Sequence, residues 1–266
     1  MSFPSLGAEM KYDLPPELVV RADGPIRTVV LNNPDQRNAA TGLLHEALIS
    51  VWRQLADDVD CRVVILTGAG EAFCAGGDMS SFERSHSDAD YRRRLLRDAR
   101  RLADEMLGFH KPIIGAINGA AVGLGATLAF LCDIVLMADT AFVADTHVTV
   151  GVVAGDGGIA ALPYMTSILR AKEFLFTGER IYAAEAAQIG LANRAVPAAE
   201  LMTAATELAG RIAKQPRQAL EDTKRAINLH LQQAATLVLP FALAAESESF
   251  TGDDVVRTVK KFKGSR

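Results

Sequence analysis

The chain has 266 residues, 49% hydrophobic and 23% charged, with a formal net charge of −4. That length can bury one substantial core with a small appendage, and the mild acidic balance offers neither a basic surface for nucleic acid nor a solvating acidic tail. Cys61, Cys74 and Cys132 are odd in number and lack CxxC spacing, which fits packing thiols in a reduced, cytoplasmic chain and no metal site.

The N-terminal stretch MSFPSLGAEMKYDLPPE has neither a basic region nor an apolar run, so no leader peptide is expected. ELVVRA and IRTVVLN flank Asp23-Gly24-Pro25 and read as a hairpin. Thr41 can cap a helix that carries Leu44, Leu48, Val51, Trp52 and Leu55 on one face. RVVILTG, KPIIGAING and DIVLMAD are short continuous apolar runs, each ending at Gly, Asn or Asp, the pattern of strands buried on both faces. Between the first two runs, Leu95, Leu96, Ala99, Leu102, Ala103, Met106 and Leu107 recur at three- and four-residue steps and predict a second helix. Its basic run YRRRLLRDARR lies opposite these leucines among many acidic residues and reads as a solvated face. Without interleaved aromatics it does not suggest nucleic-acid binding. The apolar stretch from Ile113 to Cys132 is long enough for a membrane span, but Asn118-Gly119 and further glycines predict a strand, a turn and a helix.

Strand–turn–helix units repeat without sequence identity, suggesting an α/β core wound as a spiral or layered sheet. After about Pro197 the patterns are helical only. Pro216 can open a helix and Pro240 is expected to kink or divide one. The organisation is therefore a core over residues 1–197 and a helical region over 198–266, packed together without a low-complexity linker.

Two glycine-rich turns carry potential chemistry. TGAGEAFCAGGDMSSF follows a strand, and NGAAVGLGATLAF leaves a strand and opens a helix. Both can be tight turns alone. They can also let backbone N–H groups converge on an anionic ligand atom, because glycine permits close approach and helix starts present unpaired donors. Donors aimed at a developing oxyanion are worth about 3 kcal/mol each. The first loop is not a dinucleotide fingerprint, and the chain has no Walker lysine, GxSxG serine or HExxH site. A dinucleotide oxidoreductase is accordingly the weaker rival. DTHVTVGVVAGDGG, from Asp145 to Gly158, raises a separate question. His147 can serve as a base with Asp156 as its partner, or bond a backbone carbonyl; Asp156 can also cap the helix that follows. His45, His86, His110 and His230 lie outside these loops and read as structural, and Cys74 as a small core residue.

NNPDQRNAAT, FCAGGDMSSF, KPIIGAINGAAVGLGATLAFLCDIVLMAD, GVVAGDGG and TGERIYAAEAAQIGLANRAVP occur in an order that resembles the crotonase (enoyl-CoA hydratase/isomerase) superfamily, from about Leu18 to Phe262. The resemblance implies a crotonase-like α/β spiral of ββα units with a helical C-terminal trimerisation region, assembled as a homotrimer or hexamer. It implies an acyl-CoA thioester as ligand, with coenzyme A entering as part of the substrate and no separate cofactor. The N–H groups of Gly77 and Leu124 would form the oxyanion hole. Arg37, Ala39, Ala75, Gly76 and Asp78 match CoA-contacting positions. The two glutamates of family hydratases fall at Thr127 and His147, so ordinary two-glutamate hydration is not expected; Thr127 would pack or bond the substrate. The His147/Asp156 pair resembles the β-diketone hydrolase branch, which cleaves carbon–carbon bonds, and Glu246 falls near an acidic position of that branch. That branch carries a histidine where Leu124 stands, and it lacks the AGGD loop present here. The expectation is an acyl-CoA enzyme with His147 as base and Asp156 as partner, adding water or hydrolysing a β-dicarbonyl. The alternative is a non-catalytic acyl-CoA-binding protein, because both glutamates are replaced.

Overall fold

In the computed structural model, which describes residues 12–264, the hairpin forms as β1 (Leu18–Asp23) and β2 (Ile26–Leu31), paired antiparallel. The first eleven residues, which include most of the stretch read for a leader peptide, lie outside the described residues. Helix α1 (Gly42–Asp57) begins where Thr41 Oγ1 accepts the Leu44 N–H at 3.3 Å, a cap worth about 1 kcal/mol. It buries Leu44, Leu48, Val51, Trp52 and Leu55. Its C-terminal carbonyls are satisfied by the buried Lys111 ammonium, which donates to Leu55 O at 2.6 Å, Ala56 O at 3.0 Å and Asp58 O at 2.7 Å. A cation there also complements the helix dipole.

The next units repeat one plan. β3 (Val63–Gly68) and β4 (Ala72–Cys74) lead to α2 (Met79–Ser87) and α3 (Ala89–Gly108). β5 (Ile113–Ile117) and β6 (Ala120–Val122) lead to α4 (Leu124–Phe130). β7 (Ile134–Ala138) and β8 (Phe142–Ala144) lead to α5 (Gly158–Met165) and α6 (Ile168–Thr177). β9 (Ile181–Tyr182), α7 (Ala183–Gln188) and β10 (Arg194–Val196) close the core. One sheet runs β1-β2-β3-β5-β7-β10, parallel after the opening hairpin; the other runs β4-β6-β8-β9, antiparallel only at its last pair. Each of the first three strand pairs after the hairpin adds one strand to either sheet before its helices return the chain, which gives a spiral of ββα units. Every residue of β2, β3 and β5 is buried, as continuous apolar runs require.

The C-terminal region comprises α8 (Leu201–Ala213), α9 (Arg217–Ser249) and α10 (Asp253–Gly264). Helix α8 lies on the larger sheet, α9 packs on α3 and α5, and α10 packs on α2. Pro216 precedes the first turn of α9 as expected, but Pro240 does not divide it. The missing N–H removes one helical bond, while packing on α3 and α5 and burial of Leu239 and Ala242 beside the proline hold the helix continuous. By length and composition α9 could cross a bilayer. Its buried Lys224, however, pairs with Asp133 at 2.7 Å, and Asn228 Nδ2 donates to Leu107 O at 3.0 Å, so this helix is bolted to the core. On α3 the basic run is solvated, with Arg100 paired to Asp104 at 2.8 Å and Arg101 to Asp98 at 3.4 Å.

Candidate active site

The two glycine-rich turns meet. Gly76 has φ +90°, and a Cβ there would lie 2.7 Å from the Val122 carbonyl oxygen; Gly123 has φ +52° and precedes the first turn of α4. Only glycine permits both that backbone conformation and that approach. Gly123 N donates to Ala144 O at 2.9 Å, tying the start of α4 to β8. As the first residue of α4, Leu124 has no intrahelical acceptor for its N–H. Among the described residues the Gly77 N–H meets no backbone acceptor, and the neighbouring Gly76 O accepts the Ala40 N–H at 2.8 Å. Gly77 and Leu124 border one cavity of about 730 Å³, within the range of small-molecule sites.

Its other walls come from α1, α2, α3, the loop after β8, α9 and α10. Phe82, Leu95, Leu96, Val150 and Phe250 supply apolar surface. His147, Asp156 and Glu246 supply the polar wall. Asp145, one residue beyond β8, accepts the His147 Nδ1 proton through Oδ1 at 2.7 Å and the His147 backbone N–H at 3.1 Å. At the other ring nitrogen, Nε2 lies 3.6 Å from Asp156 Oδ2, close enough for an ion pair but longer than a hydrogen bond. The second Asp156 oxygen accepts the Thr127 hydroxyl at 2.7 Å. Glu246, on α9, is buried, and its Oε2 has no hydrogen-bond partner among the described residues.

Burial and charge set the protonation of this cluster. Burial alone would lower the His147 pKa, but Asp156 and Asp145 raise it to about 10, so the ring is an imidazolium at neutral pH. Burial would raise Asp145, yet His147 holds it below the usual carboxylate range. Burial lifts the Asp156 carboxyl above that range against the pull of His147. Burial also lifts Glu246 to about 8, and Asp156 and Asp145 oppose its ionisation. A neutral carboxylic acid, Glu246, and an imidazolium flanked by Asp145 and Asp156 therefore face the cavity that also carries the two backbone donors.

The remaining expected positions divide. Ala75 and Gly76 line the cavity, whereas Arg37, Ala39 and Asp78 stand outside its wall. Arg37 is exposed, and its carbonyl accepts the Ala75 N–H at 3.0 Å. Buried Asn38 fixes that loop: its Oδ1 accepts Asn33 N at 2.8 Å, and its Nδ2 donates to Ala69 O, Ala72 O and Phe73 O at 2.9, 2.8 and 3.2 Å. Asp78 caps α2 through Ser80 N. Thr127 lies behind Asp156 and not in the cavity wall. Asp156 is not a helix cap, since Gly157 holds that place at α5 without a side-chain bond. His45 does line the cavity, and burial lowers its pKa; beside Leu44 on the buried face of α1, it carried no signal in the sequence. Asp145 did have a signal, an aspartate two residues before a histidine at a strand end.

The enoyl-CoA hydratase/isomerase family model matches residues 21–266, and the chain belongs to that family, within the crotonase superfamily. A short-chain-enoyl-CoA hydratase from Clostridium acetobutylicum is 33% identical over 240 residues, spanning 89% of this chain and 90% of that protein. An enoyl-CoA hydratase/isomerase crystal structure from Mycobacterium paratuberculosis superposes with a TM-score of 0.91 at 44% identity, over 94% of this chain and 100% of that one. A beta-diketone hydrolase from the cyanobacterium Anabaena superposes at 0.82 with 28% identity, over 89% and 94% of the two chains.

Proposed function

We propose that this family member acts on an acyl-CoA thioester and hydrolyses a carbon–carbon bond of a β-dicarbonyl acyl group. The observation that carries the reading is the proton-rich cluster of His147, Asp156 and Glu246 beside the Gly77 and Leu124 donors. Coenzyme A enters as part of the substrate, with no separate cofactor, and the Arg37–Ala39 loop and Asp78 offer surface for its remote portion. The thioester oxygen accepts the Gly77 and Leu124 N–H groups. A water gives one proton to the His147–Asp156 unit at Asp156, the carboxylate open to it, while its oxygen bonds to the β-carbonyl carbon. The adduct collapses with cleavage of the carbon–carbon bond, and the electron pair passes into the thioester enolate. Glu246 then protonates the α-carbon, and the proton held at Asp156 restores Glu246. One water, one carboxylic acid and one shortened acyl-CoA balance the step. His147 holds positive charge between the carboxylates and stabilises the developing anion.

The assembly belongs to the same proposal. Leu237 and Phe241 of α9 and Leu169 and Phe176 of α6 are exposed apolar residues, the kind of surface a homotrimer, alone or paired as a hexamer, would cover in the cytoplasm.

Mass spectrometry on a panel of enoyl-CoA and β-ketoacyl-CoA thioesters tests the reaction. Two fragments separated at a former carbon–carbon bond support hydrolysis, and His147→Ala must abolish them. A single product heavier by one water would assign hydration and overturn the cleavage reading. An unchanged panel with intact CoA-thioester binding would assign a non-catalytic binder.

A further inference from the structure

We infer that Asp145 is the positioning residue of this site: it fixes His147 through Nδ1, turns Nε2 toward the cavity, and leaves Asp156 for water or substrate. The inference rests on reading the cavity as the active site. One oxygen of Asp145 holds both the ring, at 2.7 Å, and the backbone N–H of His147, at 3.1 Å. The carboxylate is almost fully buried and lies just past the end of β8, one residue after Ala144, whose carbonyl receives the Gly123 N–H. The orienter of His147 and the helix start that presents Leu124 thus share one brace.

Asp156 is differently placed. Its nearest oxygen is 3.6 Å from Nε2, and its other oxygen is engaged by Thr127. The titratable groups facing the ring are Asp145 from the end of β8, Asp156 from the loop before α5, and Glu246 from α9. Of these, Asp145 alone makes a hydrogen bond to it. Without that bond the imidazole is free to turn and present either nitrogen to the cavity, so the tautomer depends on Asp145.

Nitrogen-15 NMR of the histidine side chains, followed through a pH titration, reads this directly. In the wild-type protein, Nδ1 of His147 is expected to keep its proton on the alkaline side and Nε2 to lose its own first. Asp145→Asn keeps the shape of the side chain and removes its charge, so the His147 pKa should fall by about one unit or more. Its kcat should fall roughly tenfold or more, with KM changed by less than about threefold. Asp145→Ser is read in the same way if the asparagine variant does not fold by circular dichroism. Asp156→Asn should leave Nδ1 as the protonated nitrogen. An unchanged tautomer and titration in the folded Asp145 variant would overturn the inference, as would loss of tautomer control in Asp156→Asn. The titration needs no substrate. A wild-type protein that shows the expected tautomer but turns over no thioester would sink the proposed function and leave the role of Asp145 standing.

Discussion

Thr127 shows how one hydroxyl can matter without touching a ligand. It donates to Asp156 from a fully buried position on α4, and a hydrogen bond to a buried carboxylate is worth about 1.5–3 kcal/mol. Thr127→Val keeps the shape and deletes the donor. Chemical denaturation should show a stability loss of about 1–2 kcal/mol, and the pH–rate profile should move as Asp156 becomes harder to ionise. The residues of this site were partly legible in the sequence. His147, Asp156 and Glu246 stood out as polar groups in apolar stretches, and all three reach the cavity. Asp145 was hidden because an aspartate at a strand end reads equally well as a turn residue. His45 was hidden because it sits on α1, at the end of a helical face that reads as core.

At the scale of elements, one buried side chain ties the loop before α1 to the carbonyls around β4. Asn38 adopts φ +55° and bridges the Asn33 N–H to three carbonyls around β4. Asparagine tolerates that left-handed conformation better than other residues with a Cβ. Asn38→Ala should cost about 2–4 kcal/mol, combining backbone strain with the loss of its bonds to Asn33 N, Ala69 O and Phe73 O, while Ala72 O keeps the Asn118 amide. Acyl-CoA affinity measured by calorimetry should fall as well, because Arg37 and the Ala75–Gly76 backbone lose their shared support. The strands and long helices were legible because burial on both faces leaves continuous apolar runs and burial on one face leaves helical periodicity, as β5 and α3 show. That Pro240 does not divide α9 has a physical reason. Its local signal is a broken hydrogen bond, and the compensation comes from residues of α3 and α5 far away in the chain.

For the whole molecule, the buried cluster makes stability depend on pH. The folded state raises His147 from 6.5 to about 10, so the stability that its charged form gains is complete below about 6.5 and lost as pH rises toward 10. It raises Glu246 from 4.5 to about 8, so the folded state holds that proton longer and loses relative stability as pH climbs through this interval. Both effects have the same sign. The thermal unfolding midpoint should therefore decline between about pH 6 and pH 9, and Glu246→Gln should flatten the lower part of that decline. A midpoint that rose across this range would contradict the protonation scheme.

Helix α9 joins two regions that differ in chemical role. The core supplies the backbone donors through Gly77 and Leu124, whereas Glu246 arrives from α9, which begins at Arg217, well past the last strand at Arg194–Val196. The cavity thus draws Glu246 from a stretch of sequence separate from the core that supplies Gly77, Leu124, His147 and Asp156. Under the proposed function, a substitution at Glu246 would change the acid that faces the cavity and leave the backbone donors of the core in place.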